Sequence, residues 1–141
     1  MSTPRLPITF GYWDTPQGPS PASGQLRTVT SPDTVTCTHG YDGPLLTSET
    51  WSGNVTGAVT RTYDADFREA TETVAVGAAT STVTNDYDLD GLLKSVTPTG
   101  LPALTIHRRA ADGLVDSTHA GPVGGGIDQS QDYNAFGELR R

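Results

Sequence analysis

The sequence predicts an all-β fold made of consecutive antiparallel β-hairpins. Three observations predict it. Tyrosines recur at Tyr12, Tyr41, Tyr63, Tyr87 and Tyr133, with spacings of 29, 22, 24 and 46 residues, the last close to two units of about 23. A turn-forming stretch follows each of them. Thr and Val are plentiful while Leu, Ile and Phe are sparse, a balance that suits pleated surfaces, and no apolar stripe of 3.6-residue period runs for a helical length.

Taken in order, the stretches give about six hairpin units. Tyr12-Trp13-Asp14 leads into a Pro/Ser/Gly-rich insertion over 15–24 and then Gly24-Gln25-Leu26, which reads as an enlarged hairpin tip. Tyr41-Asp42-Gly43-Pro44-Leu45-Leu46 is one residue tighter than the others. Tyr63-Asp64-Ala65-Asp66-Phe67-Arg68 has Phe67 where the other copies have Gly. Tyr87-Asp88-Leu89-Asp90-Gly91-Leu92-Leu93 is the clearest copy. Arg108-Arg109-Ala110-Ala111-Asp112-Gly113-Leu114-Val115 lacks the tyrosine and keeps the Gly with apolar residues behind it. After a Gly-rich connection over 120–126, Tyr133-Asn134-Ala135-Phe136-Gly137-Glu138-Leu139 exchanges Asp for Asn. Matching repeats flank both interruptions, so the whole of 1–141 reads as a single repeat region.

The pattern has a physical reason. Asp or Asn at the first turn position accepts a hydrogen bond from a backbone N–H two residues on. A Gly three residues later tolerates positive φ, and the Leu beyond it starts the return strand. Turns are therefore expected at 42–45, 64–67, 88–91, 109–113 and 134–137. Four residues before the tyrosines stand Ile8, Cys37, Val59, Val83 and Gln129. A spacing of four in a strand keeps one face, so each ring is expected on the side of its partner, with Tyr63 and Tyr87 mostly buried. Thr60 and Thr62, or Thr82 and Thr84, point the other way. The return strand Leu93-Lys94-Ser95-Val96-Thr97 alternates less cleanly.

Composition narrows the function classes. The chain has 141 residues, 34% of them hydrophobic, with 16 Gly and 10 Pro. So low an apolar share also fits disorder, but the ordered alternation opposes that over most of the chain. Formal net charge is −7, and the only adjacent basic pairs are Arg108-Arg109 and Arg140-Arg141, so no nucleic-acid footprint is expected. One cysteine, Cys37, excludes an internal disulfide. No apolar stretch approaches the ~20 residues of a membrane span. Met1 to Pro7 has no apolar segment of a signal peptide.

No chemical site emerges from spacing. His39, His107 and His119 are far apart, and no pair of ligands stands at zinc-site spacing. Cys37 beside His39 resembles a nucleophile with its base, but Cys37 fills the slot held elsewhere by Val59, Val83 and Ile8, which makes it a small packed residue. Asp14, Asp42, Asp64, Asp88 and Asp90 recur at turn positions, which turn chemistry already explains. Asp86-Tyr87-Asp88-Leu89-Asp90-Gly91 satisfies the first half of a calcium loop, yet Thr97 stands where the loop needs Glu. Catalytic, cofactor and metal residues are accordingly expected to be none. Asn54-Val55-Thr56 is a glycosylation triplet, and Trp13, Trp51 and the tyrosines are of the type that stacks on sugars.

The tyrosine-aspartate units resemble the YD repeats of RHS proteins, a family that includes bacterial polymorphic toxins, the cocoon components of insecticidal toxin complexes and the animal teneurins. Leu45 to Gly53, Arg61 to Arg68, Tyr87 to Leu93 and Tyr133 to Glu138 are similar in wording and order to one bacterial RHS subgroup, and the likeness covers roughly 8–141. Family members build a spiralling β-sheet that closes into a hollow shell, in many cases around a C-terminal toxic or variable domain. The resemblance thus implies a non-enzymatic structural segment, secreted or at a cell surface, without cofactors. Its expected partners are the rest of the shell and its cargo, with a glycan-binding or adhesion module as the alternative. The residues expected to carry the repeat are Tyr12, Tyr41, Asp42, Tyr63, Asp64, Tyr87, Asp88, Gly91, Leu93, Gly113, Tyr133, Asn134, Gly137 and Leu139. Three positions depart from the pattern: Phe67 replaces Gly, Arg109 stands where an acidic turn residue is usual, and Glu69 where an apolar one is. The motif that closes the shell is missing, and the chain stops at Arg140-Arg141 within a repeat, so an internal fragment is expected.

Overall fold

Thr- and Val-rich segments separated by Asp/Asn- and Gly-led turns fold as strands, because branched side chains pack on a pleat and the turns reverse the chain sharply. The computed structural model describes residues 6–14, 23–122 and 125–140. Eleven strands occur there: β1 (Thr9–Tyr12), β2 (Leu26–Thr30), β3 (Thr36–Asp42), β4 (Leu45–Ser52), β5 (Gly57–Tyr63), β6 (Glu69–Val76), β7 (Ala79–Tyr87), β8 (Leu93–Pro98), β9 (Leu104–Arg108), β10 (Val115–Ala120) and β11 (Ile127–Ser130). No helix occurs among the described residues, and so none long and apolar enough to cross a membrane.

The chain divides into two compact units, one ending at Thr82 and one beginning at Val83, so β7 contributes to both. In the first, β1 to β6 form an antiparallel meander in chain order. In the second, the later half of β7 is followed by β8, β9, β10 and β11 in the same manner. Each sheet is open, and no described residue is fully buried. Tyr63 and Tyr87 are more covered than exposed, as expected, Tyr41 and Tyr133 are alike, and Tyr12 is 53% exposed.

Register separates two faces in the first unit. Phe10, Val29, Cys37, Trp51 and Gly57 pair in one row across β1 to β5, and His39, Glu49, Val59 and Val74 in the next. The opposite face is a hydroxyl surface. Thr30 and Thr36 are bonded Oγ1 to Oγ1 at 2.9 Å, Thr62 and Thr71 at 2.6 Å, and Thr73 and Thr82 at 2.9 Å. Such cross-strand pairs stabilise a sheet by about 0.2–1 kcal/mol each. Val59, Arg61 and Tyr63 are half-buried while Thr60 and Thr62 are exposed, as the spacing of four requires; Val83, Asn85 and Tyr87 repeat the pattern against Thr84 and Asp86.

Candidate functional site

The repeat itself is the first candidate, and three of its turns are atomically alike. Asp64 Oδ1 accepts the backbone N–H of Asp66 at 2.9 Å and of Arg68 at 3.0 Å. Asp88 Oδ1 accepts those of Asp90 at 3.0 Å and Leu92 at 2.8 Å. Asn134 Oδ1 accepts those of Phe136 and Glu138, both at 2.9 Å. In each, the residue three beyond the acceptor donates back to its carbonyl and has positive φ: Phe67 at 62°, Gly91 at 79° and Gly137 at 77°. The tyrosine before each turn pairs with the residue six places on, giving Tyr63 with Glu69, Tyr87 with Leu93 and Tyr133 with Leu139.

The remaining repeats solve the same reversal differently. Asp42 stands in the ladder opposite Leu45, and Gly43 turns the chain at φ 56°. At Arg109, which lacks a carboxylate, Asp112 supplies it: its Oδ1 accepts the Leu114 N–H at 3.1 Å, and Arg109 Nε donates to the same oxygen at 3.1 Å. Gly113 closes that turn on the Arg109 carbonyl at φ 73°. In the first repeat Tyr12 pairs with Leu26, and Trp13 and Gly24 close the neck of the hairpin. Its tip over 15–22 lies outside the described residues, as does Val123-Gly124 of the Gly-rich connection and Arg141 at the end of the chain.

Two tyrosines tie one repeat to the one before it. Tyr63 donates its hydroxyl to the Leu46 carbonyl at 2.8 Å, 17 residues back. Tyr133 donates to the Val115 carbonyl at 2.8 Å, 18 residues back. Leu46 and Val115 are the return-strand partners of Tyr41 and Arg108, the leading residues of those earlier repeats. Trp13 lies under the Arg27 guanidinium, 4.6 Å from its ring centre, and Trp51 is half-buried opposite Cys37.

A polar cluster lies on the tyrosine face of the first unit. Arg61 donates to Glu49 at 2.9 Å and Glu72 at 2.9 Å, and Glu69 is 3.6 Å away. This network holds the Arg61 guanidinium pKa above its ordinary value, chiefly through the Glu49 hydrogen bond. His39, paired with Glu49, is 3.8 Å from it, and Cys37 is 3.9 Å from the His39 ring. Burial first, and then the Glu49 charge, push the Cys37 thiol up. A catalytic thiol needs the opposite shift. Glu49 and Arg61 are the residues that spacing missed, because only the strand register brings them to His39.

The sequence matches no family model and no curated protein.

Proposed function

We propose that this chain is a non-enzymatic repeat segment of a larger bacterial RHS-type protein, scaffolding or encapsulating a C-terminal toxin or effector domain outside the producing cell. The observation that carries the reading is the turn built three times with the same two hydrogen bonds, led each time by a tyrosine. Repetition of one hairpin with a half-buried tyrosine face is the chemistry of a wall, which gains stability from neighbouring repeats. Glycan binding is the less favoured alternative: Trp13 is covered by Arg27 and Trp51 packs across the sheet, leaving neither ring freely open for a sugar.

The coding sequence on both sides of this chain tests the reading. Further Tyr-Asp repeats upstream and downstream, ending in an unrelated C-terminal domain, are the expected result. In that protein the C-terminal domain should resist protease while the repeats are folded and be digested once they are denatured. Flanking sequence without repeats, or a domain cut equally fast in both states, overturns it.

A further inference from the structure

Cys37 and His39 stand two residues apart on one face of β3, and Glu49 of β4 lies directly opposite His39. Cys37 Sγ is 3.9 Å from His39 Nε2, Nε2 is 3.8 Å from Glu49 Oε1, and one ligand atom from each falls within 4.8 Å of the other two. Around a tetrahedral zinc ion, with bonds of about 2.3 Å to sulfur and 2.0–2.2 Å to nitrogen and oxygen, neighbouring donors sit about 3.4–3.6 Å apart. Two of the three edges lie within about half an ångström of that spacing, and side-chain rotation closes the third, between Cys37 and Glu49, from within 4.8 Å.

Two independent features point to a cation. The first is the state of His39. Its side chain is only 12% exposed, its Nδ1 is buried without a partner, and its Nε2 meets the Cys37 sulfur at 3.9 Å and Glu49 at 3.8 Å, both long contacts. A nearly buried imidazole with weak partners is costly, and a metal bond gives Nε2 a strong one. The second is the placing of Glu49. Arg61 holds Glu49 Oε2 and thereby leaves Oε1 turned toward His39, the orienting role that outer groups play around metal ligands.

We propose that Cys37, His39 and Glu49 form a binding site for a borderline divalent transition metal, zinc being the natural occupant, with water in the fourth position. A sulfur, a nitrogen and an oxygen donor select such a metal over calcium or magnesium, which require oxygen alone. As the zinc–sulfur bond forms, the Cys37 thiol releases its proton to solvent. The ion clamps β3 to β4 inside the first unit.

Co2+ added to the reduced full chain is the probe. A thiolate-to-cobalt charge-transfer band in the near ultraviolet, displaced by Zn2+, is expected, together with a Zn2+-dependent rise in Tm of the unaltered protein. Cys37→Ser should abolish the band, and His39→Ala should weaken Zn2+ binding at least ~100-fold, beyond the loss typical of an outer-shell change. His119→Ala should leave both readouts unchanged. Absence of the band and of the Tm rise in the natively folded wild type overturns the proposal. So does a band that survives His39→Ala unaltered, since that would mark a lone thiol taking up cobalt.

Discussion

Phe67 occupies a backbone conformation that its neighbours in the repeat give to glycine. Its φ is 62°, and its ring is 74% exposed, so it returns little by burial. A left-handed conformation costs an L-residue about 1–2 kcal/mol, while glycine restores part of that as extra entropy of the unfolded chain. Phe67→Gly should therefore stabilise the protein by about 0.5–1 kcal/mol, read as a higher urea midpoint at unchanged slope. A lower midpoint would show that the Phe67 ring makes contacts worth more than its strain. His119 poses a different single-residue problem. Its Nδ1 faces Asp128 at 2.6 Å and its Nε2 faces the Gly121 carbonyl at 3.0 Å. Two acceptors favour the doubly protonated ring, so the pKa is raised, first by the Asp128 hydrogen bond and against a smaller desolvation effect. A raised folded pKa means stabilisation that is complete below the unfolded value of about 6.5 and lost as pH rises through the folded one. The stability gap between wild type and His119→Gln should thus be wider near pH 5 than near pH 9, both flanking that range. A gap independent of pH would sink the assignment.

At the scale of the hairpin, one acceptor atom organises each turn. Removing it in Asp88→Ala strips partners from two backbone N–H groups and should cost about 1–2 kcal/mol. Asp88→Asn should be nearly neutral, because Asn134 makes the same two bonds in its own repeat. Equal losses in the two variants, measured by denaturant unfolding, would assign the effect to charge instead of to the turn. These turns were legible in the sequence, since Asp or Asn followed by Gly at a fixed offset is a local signal. The return strands were not. The pairing skips Thr47, Ala70 and Lys94, one extra residue on each of β4, β6 and β8. Such a bulge shifts every later side chain by one position. Leu93 and Val96, three apart, consequently pair with Tyr87 and Asn85 on one face, which explains the broken alternation of that strand. The same shift sets Glu69 and Glu72 on the face of Arg61, so the carboxylate at Glu69, out of place by the repeat's own pattern, has its counter-charge. Cys37 and His39 could be placed together from their spacing, but Glu49 reaches them only through a register that no local signal encodes.

Apolar groups lie open on the described residues: Ile8, Phe10, Leu6, Val76, Ile127 and Leu139 are each more than half exposed. β1 and β11 add open hydrogen-bonding edges, since among the described residues β1 pairs with β2 alone and β11 with β10 alone. All four residues of β11 are exposed, and its Asp128 is the one charge there to discourage another strand. With no fully buried side chain among the described residues, stability there rests on ladder hydrogen bonds, turn acceptors and half-buried rows, each worth about 1 kcal/mol or less. The isolated chain should accordingly be of marginal stability and should associate through its edges and apolar faces. Size-exclusion chromatography with light scattering, followed by thermal melting at two protein concentrations, reads both properties. Species larger than a monomer and a broad melt that shifts with concentration are the expected result. A sharp monomer peak with a cooperative melt above about 60 °C, toward the upper end for single domains, would show that these two units need no neighbour, and the shell-segment reading would lose its physical basis.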